Sequence, residues 1–144
     1  MKSLLENLKQ QGDSVGGVVE FQLLQVPAGL GDPLYEKLEA NLAKAMLSLP
    51  ATKGFEIGEG FAAARMQGSL HNDEFIYDER IMTKTNHAGG TLGGISTGMP
   101  IMGRVAFKPT SSIRHSQLTV DQQGSQAHKG QHRKSVIESA YAFR

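Results

Sequence analysis

A glycine-rich stretch, a strand and a lysine form the part of the sequence best suited to bind an anion. Residues 86–98 read NHAGGTLGGISTG, and their five glycines let the backbone take positive φ angles and approach a ligand closely. Residues 101–107 alternate apolar with mixed side chains, which predicts a half-buried strand. The segment 108–112, Lys-Pro-Thr-Ser-Ser, then offers an ammonium group, three hydroxyls and several backbone N–H groups. Phosphate is the ligand that this chemistry favours.

The same residues also fit an ordinary solvated loop. Neither common phosphate-binding glycine motif is present, because the sequence contains no GxxxxGK[ST] and no GxGxxG. His87, inside the glycine stretch, is expected to be a hydrogen-bonding scaffold residue rather than a catalyst. From the residues alone, a phosphate site and a surface loop both remain open.

The composition argues against several classes of partner. With 15 basic and 14 acidic residues the net charge is +1, and no basic run predicts binding to nucleic acid. No stretch approaches the ~18 apolar residues of a membrane span, and the first residues are too polar for a secretory signal. The sequence contains no cysteine, so a cytoplasmic protein without a membrane partner is predicted. The five histidines show no metal-binding spacing; they are His71, His87, His115, His128 and His132.

Four motifs, in this order, resemble the chorismate synthase family. They are GDSVGGVVEF from residue 12, LPATKGFEIGEGF from residue 49, NHAGGTLGGISTG from residue 86 and RVAFKPTSSI from residue 104. The resemblance implies an α+β fold, part of a β-α-β sandwich with antiparallel sheets. Residues 1–144 are expected to form a single, partial domain in which the resemblance is strongest over 12–113.

The resemblance also implies a reaction and a cofactor. The family eliminates phosphate from 5-enolpyruvylshikimate 3-phosphate to give chorismate, and it requires reduced FMN, with NADPH as one candidate reductant. Family members are homotetramers. The positions that match the family's flavin contacts are Ala51, Gly93, Lys108, Pro109, Thr110, Ser111 and Ser112.

The end of the sequence departs from the family. An Arg-His-Asp-Pro signature is expected after residue 130, but residues 131–134 are Gln-His-Arg-Lys, and of these only His132 matches. Arg133 therefore occupies the position of the family's catalytic aspartate. The family's catalytic histidines match nothing in this chain, so no catalytic residue is assigned here.

Two hypotheses about function follow from these departures. The first is a chorismate synthase represented by an incomplete chain. The second is a non-catalytic remnant that still binds a phosphate-bearing ligand or contributes to assembly.

The remaining sequence predicts the elements that position the candidate site. The expected regular elements are a helix over 3–10 ended by Gly12, a strand over 16–26, a helix from the N-cap Asp32 to Leu49, a strand or extended turn near 55–57, a short helix over 61–67 closed by Gly68, and a strand over 117–120. Residues 69–85 are expected to form a solvated loop and 121–124 a turn. The long helix carries an apolar stripe that is expected to face a core: Leu34, Leu38, Leu42, Ala45, Met46 and Leu49.

Overall fold

A computed structural model describes residues 1–120 and 123–129. The chain divides into two compact units, one formed by residues 16–108 and the other by residues 1–15 together with the chain from residue 109. The assignment of residues 1–144 to one partial domain stays a prediction. In chain order the regular elements are α1 (Lys2–Gln11), β1 (Gly17–Leu23), α2 (Leu38–Leu47), β2 (Thr52–Ile57), α3 (Gly68–His71), β3 (Phe75–Asp78), β4 (Arg80–Thr83), β5 (Thr91–Leu92), β6 (Ile95–Ser96), β7 (Ile101–Phe107), β8 (Gln117–Val120) and β9 (Gln126–Lys129).

An antiparallel sheet of three strands is the scaffold of the larger unit. The strand order is β1-β7-β2, so the predicted strand over 101–107 is confirmed and lies at the centre. Its alternation places Ile101 and Val105 on the buried face, where they are 1% and 3% exposed. The rings of Phe21 and Phe55, from the two outer strands, stack on each other with centroids 6.4 Å apart. The predicted α+β class with antiparallel sheets is confirmed.

The predicted start of the long helix is wrong. Asp32 does not cap it, because Leu34 takes a left-handed φ of 70° and the chain first makes a separate 3-10 turn. The α-helix begins at Leu38, with Lys37 as its N-cap residue. The N–H of Leu38 donates to the carbonyl of Gly94 at 2.8 Å, so a partner far away in the sequence decides where α2 begins.

The apolar stripe of this helix is only partly covered. α2 packs against β2, and its half-buried stripe residues are Leu38, Leu42 and Met46. The other members of the stripe are exposed: Leu34, Ala45 and Leu49. The prediction that the whole stripe faces a core is therefore wrong within the described residues.

The predicted loop over 69–85 is largely regular structure. Gly68 starts the short helix α3 instead of closing the preceding 3-10 helix (Gly60–Arg65), and the hairpin β3–β4 follows. The hairpin turns at Glu79, which has a positive φ of 58°. The charged residues 78–80 that suggested a loop form only its tip, while apolar side chains on both sides pair across the strands.

The smaller unit contains α1 and the hairpin β8–β9. The predicted first helix and its end at Gly12 are confirmed, since Gly12 has a left-handed φ of 74°. The N–H of Arg114 donates to the carbonyl of Gly12 at 2.8 Å, which ties the helix end to the chain beyond residue 109. The predicted strand over 117–120 is β8, whereas residues 121–122 of the expected turn lie outside the described residues.

Candidate functional site

The structure joins two of the predicted site residues directly. The backbone N–H of Lys108, at the end of β7, donates to the carbonyl of Ala51 at 2.9 Å. Ala51 takes a left-handed φ of 69°, which is unusual for a residue with a side chain. Next to it, the buried Thr52 donates its hydroxyl to the carbonyls of Leu47 and Leu49 at 3.1 and 2.8 Å. These hydrogen bonds hold the end of α2 next to the end of β7.

The ammonium group of Lys108 is available for a ligand. Lys108 is exposed. Within residues 1–120 and 123–129 no carboxylate forms an ion pair with it. A lysine of this kind can neutralise an incoming phosphate without first breaking a salt bridge.

Gly93 lies at the tip of the β5–β6 hairpin and is open on one side. Its φ is 61°, and no heavy atom lies within 4 Å of the position that a Cβ would take. The neighbouring Gly94 is enclosed, because a Cβ there would lie 2.6 Å from Cγ of Lys37. Gly93 is thus the place where this hairpin can present its backbone to a ligand.

Gly93 and the Ala51–Lys108 junction lie at opposite ends of α2. Gly94 binds the first residue of that helix, and Ala51 follows shortly after the last. A helix of ten residues is ~15 Å long. A single ligand that touched both places would have to be extended over about this length.

The four remaining predicted residues, Pro109 to Ser112, belong to the smaller unit. All four are exposed. The carbonyl of Thr110 accepts a hydrogen bond from the hydroxyl of Ser14 at 2.7 Å, and the N–H of Ser112 lies 3.4 Å from Oγ1 of Thr110. The hydroxyl-rich segment is therefore anchored to the chain just after α1 by a backbone carbonyl.

Ser96 anchors the far side of the glycine hairpin. It is only 3% exposed, and its hydroxyl donates to the carbonyl of Pro27 at 2.6 Å while accepting from the N–H of Leu30 at 2.9 Å. Its backbone also exchanges hydrogen bonds with Gly29 and Leu30. Nothing in the local sequence predicted these bonds, since the partners come from the loop after β1.

A polar cluster lies on the face of the sheet opposite the aromatic pair. Arg104 of β7 forms an ion pair with Glu56 of β2 at 2.8 Å. Its guanidinium also lies 3.4 Å from the carbonyl of Glu59. The Nδ1 atom of His87 is 3.1 Å from the Glu59 carboxylate, so His87 makes the hydrogen bond expected of a scaffold residue.

Among the described residues, Asp73 is the carboxylate with the most hydrogen bonds to the glycine stretch and the chain before it. It accepts bonds from the hydroxyl of Thr85 at 2.7 Å, the N–H of His87 at 2.8 Å and the N–H of Ala88 at 2.9 Å. Burial alone would raise the pKa of Asp73, but these donors and the nearby His87 ring together hold it below its ordinary value. Asp73 lies in the stretch 69–85 that the sequence predicted to be a solvated loop, and it is not among the predicted site residues.

Two further features bear on the type of site. Within residues 1–120 and 123–129, no group of three or more His, Asp or Glu side chains is arranged to hold a metal ion. In the same described ranges, every helix is too short or too polar to cross a membrane.

The fold and the site define an α+β protein in which the central antiparallel strand leads to Lys108 and a separate glycine-rich hairpin contacts the start of the helix packed on that sheet. Comparison with known proteins narrows this class. A family model described as "Chorismate synthase" matches residues 1–142. The chain belongs to the chorismate synthase family.

Individual relatives agree with the family match. The chorismate synthase of Protochlamydia amoebophila (strain UWE25) is 62% identical over 125 residues, which make up 86% of this chain and 34% of that protein. The one from Opitutus terrae is 55% identical over 140 residues, or 94% of this chain and 39% of that protein. A solved structure described as "Crystal Structure of Chorismate Synthase" gives a TM-score of 0.73 at 43% identity, covering 77% of this chain and 34% of that one. The chain thus spans well under half of each relative's length.

Proposed function

We propose that this chain is part of a chorismate synthase, which converts 5-enolpyruvylshikimate 3-phosphate to chorismate and phosphate with reduced FMN. The reaction belongs to the shikimate pathway of aromatic amino acid biosynthesis. The observation that carries the proposal is the hydrogen bond from Lys108 to Ala51. It joins two positions, distant in the sequence, that both match flavin contacts of the family.

The residues present fit a flavin phosphate. Lys108 would supply a positive charge that no carboxylate within the described residues neutralises, and the Thr110, Ser111 and Ser112 hydroxyls would supply neutral donors. Gly93 would let backbone approach the ligand without a Cβ in the way. Ala51 would contribute only backbone and a methyl group. When bound, FMN would supply a flavin ring in its reduced form, which the family's elimination requires although substrate and product do not differ in overall oxidation state.

The protein's own part in the reaction would be positioning and charge stabilisation. An exposed lysine that becomes covered by a ligand interacts more strongly with phosphate, because water is excluded from the pair.

We also propose that the complete enzyme is a homotetramer in the cytoplasm and that NADPH serves as a reductant for the flavin.

Binding of FMN by the full chain tests the flavin assignment. Titration followed by flavin fluorescence should show saturable binding of FMN, and riboflavin, which lacks the phosphate, should bind at least about tenfold more weakly if a charge-assisted phosphate contact exists. Inorganic phosphate should compete with FMN. Absence of saturable FMN binding, or equal affinity for riboflavin, would contradict the assignment.

A second candidate function is a non-catalytic family member that retains ligand binding or a role in assembly. Arg133 favours it, because a guanidinium cannot exchange a proton near neutral pH where the family uses a carboxylate. We expect no chorismate from 5-enolpyruvylshikimate 3-phosphate and reduced FMN with this chain alone. Product formed by the homogeneous chain would rule out the non-catalytic hypothesis. Sequencing the DNA on both sides of the coding region would show whether an adjoining frame encodes the rest of the family's length.

A further inference from the structure

We propose that Asp73 is a positioning residue for the candidate ligand site: its carboxylate holds the backbone at the entry of the glycine stretch so that the hairpin tip is presented in one orientation. The role in ligand binding rests on the proposed function. The role in holding the backbone does not, and the two can be tested separately.

The geometry shows a carboxylate that collects donors from a distant segment. Asp73 lies in the link between α3 and β3, whereas its partners follow β4. Oδ1 accepts from the Thr85 hydroxyl at 2.7 Å and the His87 N–H at 2.8 Å, and Oδ2 accepts from the Ala88 N–H at 2.9 Å. Both oxygens are therefore used, and two successive peptide groups are fixed by one side chain.

The second of these peptides, between His87 and Ala88, is also held from its other side. The N–H of Glu59 donates to the carbonyl of His87 at 2.8 Å. A Cβ added at Gly58 would collide with that carbonyl, so this glycine permits the approach. The segment at His87 is clamped between Asp73 and the turn at 58–59, and it cannot rotate without breaking charge-assisted bonds.

Fixing the chain here matters because glycines follow immediately. Gly89 and Gly90 have positive φ angles of 72° and 84°, and the chain then runs through the hairpin to Gly93. Glycine restricts the backbone least of all residues, so the orientation of the tip depends on the contacts that hold the hairpin, among them the hydrogen bond from the Leu38 N–H to the Gly94 carbonyl and the anchors at its two ends. Ser96 is the anchor at the far end, and Asp73 is the corresponding anchor at the entry.

Within the described part of the chain, two histidine rings and one neighbouring carboxylate bear on the surroundings of Asp73. The nearby ring of His87 contributes to lowering the pKa of Asp73 and itself contacts the Glu59 carboxylate, while the ring of His71 lies 6.0 Å from that of His87. The adjacent Glu74 instead points to solvent and pairs with Lys84 at 3.5 Å, with both side chains about 70% exposed. Glu74 therefore provides a matched control, since it is a carboxylate in the same link without the buried donors.

Amide hydrogen exchange of residues 1–144, measured without any ligand, tests the clamp, which is the set of hydrogen bonds between the Asp73 carboxylate and the chain at 85–88. In Asp73→Ala the hydrogen exchange of the His87 and Ala88 amides should accelerate at least about tenfold. Asp73→Asn keeps one acceptor oxygen but turns an NH₂ group toward a donor, so its effect should be intermediate; Glu74→Ala should leave both amides unchanged. Unchanged exchange in a folded Asp73→Ala protein would overturn the proposal.

An acid titration of the wild-type chain covers the case in which Asp73→Ala does not fold. The His87 and Ala88 amide proton shifts should move together as the carboxylate is protonated, below the ordinary aspartate range near ~4. The common transition should be missing in Asp73→Asn. Two amides that titrate independently of Asp73 would contradict the clamp.

FMN affinity tests the link to the ligand site. Asp73→Ala should raise the dissociation constant for FMN about tenfold, with partial rescue in Asp73→Asn and no change in Glu74→Ala. If wild type binds FMN and Asp73→Ala binds it equally well, the positioning role is wrong. If wild type does not bind FMN, the proposed function fails for this chain, and the amide measurements alone then support or overturn the clamp.

Discussion

The ring of Phe21 lies directly against Gly103. The two residues are paired across β1 and β7, and a Cβ added at Gly103 would come within 2.6 Å of Cζ of the ring. The carbonyl of Glu56, on the other neighbouring strand, would lie 2.9 Å away. A glycine in the middle of the central strand is therefore a packing requirement, and it gives Phe21 room to stack on Phe55.

Gly103→Ala should destabilise the larger unit. The added methyl group meets both an aromatic ring and a backbone carbonyl, so we expect a loss of about 1–3 kcal/mol in the free energy of unfolding. Urea unfolding followed by circular dichroism measures it. Gly17→Ala is the control, because Gly17 lies in the same sheet and has no heavy atom within 4 Å of its Cβ position. Similar unfolding midpoints for the two variants would refute the packing explanation.

At Ala51, glycine should be tolerated at least as well as alanine, which is the reverse of their order inside a helix. With φ at 69°, Ala51→Gly should be neutral or stabilising by up to about 1 kcal/mol, whereas Ala51→Val should lose about 1–3 kcal/mol. Ala45→Gly, on the exposed side of α2, should instead lose about 0.5–1 kcal/mol. The measurement is again the free energy of unfolding in urea, and destabilisation by Ala51→Gly would argue against the left-handed conformation.

Lys108→Ala tests the charge in the candidate site. If Lys108 contacts the FMN phosphate, the dissociation constant should rise by about one to two orders of magnitude, and the difference should shrink at high salt. Lys53→Ala removes an exposed lysine from the neighbouring strand β2 and should leave the affinity unchanged. Equal dissociation constants for wild type and Lys108→Ala would remove Lys108 from the site.

The stability contributed by Asp73 should depend on pH in one direction. Its pKa is lower in the folded chain than in the unfolded chain, so its contribution is fully present above the unfolded pKa and is lost as the pH falls through the folded pKa. Wild type should therefore be more stable than Asp73→Asn at pH ~7, and the gap should narrow below pH ~4. Urea midpoints across this range measure the gap, with Asp78→Asn as a control for removing an exposed charge. If the difference in urea midpoint between wild type and Asp73→Asn widened in acid, the predicted lowering of the Asp73 pKa by folding would be wrong.

Local sequence was sufficient where a short-range rule decides the structure. The alternation over 101–107 predicted β7, and Gly12 predicted the end of α1, because side-chain period and glycine at a helix end act within a few residues. The four motifs identified the family, and the family model over residues 1–142 confirms it.

Local sequence failed where a distant partner decides. The sequence predicted that α2 begins after Asp32. In the structure it begins at Leu38, whose N–H donates to the carbonyl of Gly94. Residues 69–85 looked polar enough for a loop, but strand pairing between β3 and β4 satisfies their backbone. Helix-cap and loop patterns describe only neighbouring residues, and tertiary hydrogen bonds can outweigh them.

The candidate site also has features that follow from local sequence and features that depend on distant contacts. The sequence by itself determined which chemical groups are present: the glycines of 86–98, the ammonium of Lys108 and the hydroxyls that follow it. Only the tertiary structure decided that Lys108 meets Ala51, that Asp73 holds Ala88, and that Gly93 lies at the far end of α2. These relationships depend on which chain segments the sheet and the hairpin bring together, because a hydrogen bond requires atoms within about 3 Å whatever their separation in the sequence.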